Sequence, residues 1–204
     1  MECPLDGTKF ESWQDFSGTS NGLRLDFKQL GPFPQPWALA QCPNCGLPLY
    51  QRTFSESEKI ELKKLVASDD FMRAAKTGNS YHALAVLQEE RKLRPMTIAD
   101  TYLHATWIAE VKHPETYRAL AKQAIKWYDI AAIQLGGKDD GTNSYLYSVY
   151  LPIELSRRIG EFDEAEKRIS AVAKLDVFKP EWLLRALADE RKLAAAKDSA
   201  PHDM

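Results

Sequence analysis

Turn-forming residues divide this chain in two. Residues 1–54 hold five of its ten glycines (Gly7, Gly18, Gly22, Gly31 and Gly46) and six of its eleven prolines (Pro4, Pro32, Pro34, Pro36, Pro43 and Pro48). Glycine and proline interrupt helices, so this segment is predicted to fold as short extended pieces joined by turns. TKFESW (8–13), GLRLDFKQL (22–30), WALAQC (37–42) and PLYQRTF (48–54) are the predicted strands. GPFPQP (31–36) is predicted as an extended loop, because its prolines have no N–H to give a strand or helix.

From Ser55 onward the pattern is helical. Ser55 and Glu58 form a capping-box pair ahead of KIELKKLV, and Ser68 is placed to cap DDFMRAAK. Further helices are predicted over 80–93, 97–112, 114–135, 143–159, 161–175 and 180–197, with Pro114 and Pro180 in first-turn positions. Along 114–135, Tyr117, Leu120, Ala121, Ala124, Tyr128, Ala131 and Leu135 share one stripe, opposite Lys122, Gln123, Lys126 and Asp129. YLYSVYLPIEL (145–155) is apolar nearly all round, which marks a central buried helix with a kink near Pro152. The last residues, 198–204, offer little to pack and are predicted to be a disordered tail.

Charge narrows the choice of partners. The net charge is −2. Residues 1–54 carry Lys9, Arg24, Lys28 and Arg52 against Glu2, Asp6, Glu11, Asp15 and Asp26, so each part comes to −1. Neither has the basic excess that phosphate neutralisation requires, and no nucleic-acid partner is expected. No apolar run approaches the roughly 18 residues of a membrane span. ECPLDGTKF lacks the basic and apolar regions of a signal peptide. With three cysteines, two of them in a metal-type turn, these features predict a cytoplasmic location.

That turn is CPNCG, where Cys-x-x-Cys spacing brings two thiolates to one ion and Gly46 takes the positive φ that follows. CPLDG at 3–7 repeats the frame with Asp6 in the place of the second thiolate. Asp is an acceptable zinc ligand, although a carboxylate makes the site harder and less selective. Cys3, Asp6, Cys42 and Cys45 are thus candidate ligands for a structural zinc. The competing reading is three small buried thiols beside an aromatic core of Phe10, Trp13, Phe16, Phe27, Phe33 and Trp37.

The helical half suggests two further chemistries. Glu110-x-x-His113 has the spacing of a carboxylate/histidine metal pair on one helix, the basis of an alternative reading as a metal-dependent enzyme. RRIGEFDEAEKRISAVAKLD places Gly160, Phe162, Ala165, Ile169 and Val172 in the order of a tetratricopeptide (TPR) hairpin, and the alternative is an irregular antiparallel bundle. In a TPR-like stack the first helices line a concave face. Tyr145, Tyr147, Tyr150 and Arg157 are the candidate contacts there for an unidentified protein or peptide partner.

Taken together, CPLDGTKFES, LDFKQLGP and CPNCGLPLYQRTFSESE, followed by TPR-like helices, resemble the bacterial Domain of Unknown Function 2225 family over nearly the whole chain. In that family pattern both turns are Cys-Pro-x-Cys. The resemblance implies metal ligands at Cys3, Cys42 and Cys45, with Asp6 a departure, and it implies no particular activity. The expected architecture is mainly α: a zinc-ribbon-like β module (1–54) and a TPR-like helical body (55–197). The expected role is that of a non-enzymatic interaction or scaffold protein.

Overall fold

The computed structural model describes residues 1–12, 17–137, 143–177 and 179–204. Trp13 and Phe16, two of the candidate core aromatics, lie outside them. Among the described residues there are two short strands, β1 (Gly22–Leu23) and β2 (Gln29–Leu30), paired antiparallel. Eight helices follow: α1 (Glu56–Leu65), α2 (Asp69–Lys76), α3 (Ser80–Glu90), α4 (Pro95–Lys112), α5 (Pro114–Leu135), α6 (Ser144–Arg158), α7 (Phe162–Ala173) and α8 (Glu181–Ala195).

The helix signals lie where the chain uses them. The Ser55 side chain accepts from the Glu58 N–H while the Glu58 carboxylate accepts from the Ser55 N–H, closing the capping box of α1. Ser68 caps α2, and Pro114 opens α5. Pro180 stands one position earlier than predicted, as the cap residue of α8, because its ψ of 158° is still extended. Gly160 takes φ +77° between α6 and α7, where a side chain would be strained.

The strand expectations shrink. Beyond β1 and β2 the described part of residues 1–54 forms only isolated bridges, Glu2 with Lys9, Gln41 with Pro48 and Arg24 with Asp203. Each bridge sits on the turn that closes it: the Cys3 N–H to Thr8 carbonyl and Phe10 N–H to Met1 carbonyl bonds flank Glu2–Lys9, and the Cys42 N–H to Leu47 carbonyl and Leu49 N–H to Ala40 carbonyl bonds flank Gln41–Pro48.

Packing does not follow the composition break at residue 54. One core joins Cys3, Leu5, Cys42 and Leu47 to Leu62, Phe71, Ala83 and Leu87 of α1–α3. The other joins Leu25 of the hairpin to α4–α8. Phe27, at φ +64° in the hairpin turn, packs edge-on against Tyr147, Tyr150 and Trp182, with ring centroids 5.1, 5.6 and 5.5 Å away. The Tyr150 hydroxyl donates to the Leu25 carbonyl (3.0 Å). One glycine-rich segment is thereby anchored in two places.

Between these anchors runs a chain of ion pairs. Arg157, fully buried, donates to Glu190 (2.8 Å) and to Glu154. Arg158 pairs with Glu110 of α4, which also receives Arg24 (2.7 Å) and Lys28 (3.3 Å) from the hairpin. Arg24 in turn grips the buried Asp26. Burial and then the charge of Glu190 push the Glu154 carboxyl well up.

The tail is a correction to the sequence reading. Residues 198–204 are docked: Arg157 Nη1 donates to the carbonyls of Asp198 (2.7 Å) and Ala200 (2.8 Å), and Arg158 Nε to that of Ser199 (3.0 Å). The segment then pairs with β1 around the Arg24–Asp203 bridge. Its hold comes from backbone carbonyls and N–H groups, which side-chain composition does not reveal.

Removing one partner of a buried ion pair costs about 3–5 kcal/mol, because the other charge is left uncompensated. Arg157→Met is expected to lose stability on that scale in urea unfolding, and adding Glu190→Gln should recover part of it. Burial would raise the Glu110 carboxyl, but hydrogen bonds and charges from Arg24 and Arg158 outweigh it and hold it at about 2. A depressed acid stabilises fully above its unfolded value near 4.5, and that contribution is lost as pH falls toward 2. Urea unfolding of Glu110→Gln should therefore fall off less steeply than wild type between pH 4.5 and 2, and parallel curves would refute this.

Candidate metal centre

The two turns fold alike because their frames are alike. In the first, the Cys3 N–H donates to the Thr8 carbonyl (2.9 Å) and the Gly7 N–H to the Cys3 carbonyl (3.0 Å). In the second, Cys42 donates to Leu47 (2.9 Å) and Gly46 to Cys42 (2.9 Å). Gly7 and Gly46 take φ +72° and +75°. Gly46 is constrained twice: a Cβ there would come within 2.8 Å of Ala75 Cβ, so the second turn sits directly on α2.

This pairing brings the four candidate ligands together. Donor atoms of Cys3, Asp6, Cys42 and Cys45 all lie within 4.8 Å of one another, the one such group among the described residues. Cys3 Sγ is 3.6 Å from Cys45 Sγ, and Cys42 Sγ is 3.7 Å from Asp6 Oδ2. Tetrahedral zinc with bonds of about 2.3 Å to sulfur separates neighbouring donors by roughly 3.8 Å, so the donor set fits such an ion. Cys3 and Cys42 are buried and Cys45 half-buried, with all three thiols free.

The donors differ in character. Asp6 is held well below the usual carboxylate range, first by the Thr8 N–H, against the opposing effect of burial and with further help from the Asn44 amide. Those bonds (2.9 Å each) fix the carboxylate ionised and oriented. Burial pushes the Cys3 and Cys45 thiols up, more than the N–H groups of Leu5, Asp6 and Leu47 bring them down. A dication among these sulfurs would reverse that balance and displace their protons.

The other candidates are not brought into a site. Glu110 is engaged by Arg24, Lys28 and Arg158, and His113 is the cap residue between α4 and α5, 3.9 Å from Glu115. The Glu110 carboxylate is thus already shared by three cations. Tyr150 and Arg157, expected on a partner-binding face, are fully buried in the interior. Tyr145 and Tyr147 are half-buried, and Tyr147 stacks on Trp182 (5.5 Å) beside Phe27. The reason for this correction is that the charged end of α6 packs inward against α8 and the tail. The sequence reading missed Arg24, Asp26, Glu154, Arg158 and Glu190; Glu154 and two arginines on an otherwise apolar helix were the available signal.

Fold and site together define a mainly helical protein with an N-terminal pair of metal-type turns. The chain belongs to the bacterial family described as "Uncharacterized protein conserved in bacteria (DUF2225)", which it matches over residues 1–194. No curated protein and no solved structure matches it. Among the described residues no helix is long and apolar enough to cross a membrane.

Exchange of the carboxylate tests the site. Asp6→Cys is expected to tighten zinc in a competitive chelator titration, and Asp6→Ala to loosen it. Equal affinity in all three proteins would exclude Asp6 as a ligand.

Proposed function

We propose that this chain is a non-enzymatic cytoplasmic interaction protein in which one structural zinc closes a zinc-ribbon-like module carried on a TPR-like helical body. The observation that carries the reading is the donor set: two turns bring together two buried thiols, one half-buried thiol and the exposed Asp6 carboxylate, with edges of 3.6 and 3.7 Å. Structural zinc sites use four protein ligands, whereas catalytic sites keep one position for water or substrate. When bound, the ion would act as a cross-link between residues 3–6 and 42–45. Three free thiols in that arrangement suit a reducing compartment.

The TPR-like reading rests on packing order. From α2 onward each helix packs on its successor in sequence, and Gly160 turns α6 into α7. Such stacks offer extended surfaces to other proteins. Tyr150 and Arg157 are buried and do not line such a surface, which leaves the half-buried Tyr145 and Tyr147 of the four expected contacts.

Metal analysis of untagged protein is expected to give close to one zinc per chain. Chelation should lower the thermal transition, by less than the roughly 10–16 kcal/mol of minimal zinc fingers would imply, because Leu62, Phe71 and Leu87 share the core of the turns. A transition unmoved by chelation would overturn the structural role. Substoichiometric zinc with bound iron would overturn the choice of ion.

A further inference from the structure

The three thiols of the turn pair are not equivalent. Cys3 and Cys42 are 2% and 1% exposed, whereas Cys45 is half-buried. Cys45 lines a cleft of about 470 Å³ between the second turn and α2, together with Gln41, Met72 and Lys76. Met72 and Lys76 are exposed, so the cleft opens to solvent and brings a small solute to the Cys45 side of the donor set.

The sulfur contacts divide the same way. Cys45 Sγ faces Cys3 Sγ at 3.6 Å, across the two turns. Cys42 Sγ is directed instead at the Asp6 carboxylate, 3.9 and 3.7 Å from its two oxygens. Disulfide sulfurs stand about 2.05 Å apart, so Cys3 and Cys45 need to close by only about 1.5 Å. A thiol at position 6 would give Cys42 a sulfur partner of its own, and a carboxylate cannot. The site therefore holds one oxidisable couple and one odd thiol.

We infer that the turn pair is a site of reversible modification by hydroperoxides, with Cys45 the attacked thiol and Cys3 its resolving partner. The thiol couple rests on the sulfur geometry alone; the release of metal that follows rests on the zinc reading above. A metal-bound thiol is ionised, and oxidation selects the accessible thiolate. The Cys45 thiolate attacks the terminal oxygen of the hydroperoxide, the O–O bond breaks, and the alkoxide or hydroxide released takes a proton from solvent. The Cys3 thiolate then attacks the sulfenic sulfur, the S–S bond forms, and the departing hydroxide takes a second proton as water. Two electrons pass from the sulfurs to the peroxide. Cys42 and Asp6 alone then face the ion, two ligands where a structural site uses four, and the zinc is released. Thiol–disulfide exchange reverses the step, and Cys42 stands ready for it, within 4.8 Å of the other donors.

The experiment treats the full chain, reduced and loaded with zinc, with hydrogen peroxide while a chromophoric chelator reads released metal. The products are alkylated and their disulfides mapped by mass spectrometry, and the same map is made on the metal-free chain. The expected result is one Cys3–Cys45 disulfide, an alkylated Cys42, one zinc released per disulfide, and recovery of all three thiols in dithiothreitol. Dimedone present during the reaction should mark Cys45. In Asp6→Cys the fourth thiol supplies a second couple, and peroxide should leave no thiol to alkylate. A disulfide that includes Cys42, three alkylatable thiols after treatment, dimedone on Cys3 or Cys42 in place of Cys45, or a disulfide formed with the zinc retained would each overturn the inference. A chain that binds no zinc would sink the zinc reading and the release step, and the map on that chain still decides the couple.

Discussion

Arg157 carries a full charge into the interior, and much of the molecule is arranged around that fact. Placing an ion in a low-dielectric core costs several kcal/mol unless other charges and hydrogen bonds surround it. Here α6 supplies Glu154, α8 supplies Glu190, and the tail supplies two carbonyls. The next residue, Arg158, passes the arrangement on to Glu110 of α4 and through it to Arg24 and Lys28 of the hairpin. Hydrophobic contacts among α4–α8 are non-directional and would tolerate several rotations of α8. The ion pairs select one of them. Their contribution is better described as specificity than as net stability, since a well-packed apolar substitute often matches a buried pair.

How much of this was legible beforehand differed sharply between helices and charges. Helix boundaries were legible because caps act within a few residues: Ser55 with Glu58, Ser68, Pro114 and Gly160 each announce a local geometry. The four donors were legible for the same reason, since Cys3–Gly7 and Cys42–Gly46 are complete local turns. The short length of the strands was not, because period-2 patterning does not tell whether pairing continues past the single bridge that each turn closes. Least visible was the burial of Arg157. A basic pair at the end of an apolar helix ordinarily reads as a solvated last turn, and only the approach of α8 and the tail, 33 to 43 residues further on, turns it inward. Charge pairing over such separations leaves no periodic trace.

The candidate metal centre and the ion network act on the same loop from opposite ends. The two turns enclose residues 7–41, which contain the hairpin with Arg24, Asp26 and Phe27. A link closing a loop of that size lowers the entropy of the unfolded chain by about 4 kcal/mol on the chain-closure relation. The hairpin buries few side chains of its own, chiefly Leu25, Arg24 and Asp26. Bringing its charged residues to α4 and α6 therefore costs less when the ends of the loop are already held on α1–α3. Asp6 fits this division of labour. A carboxylate forms a harder, less selective fourth ligand than a thiolate, yet the Thr8 N–H and Asn44 amide hold it in place from both turns. The Asn44 contact joins the two turns directly, and the shared core of Leu5, Leu47, Phe71 and Leu87 supports both. The demand on a fourth ligand would be correspondingly lower here than in a finger whose only core is its metal.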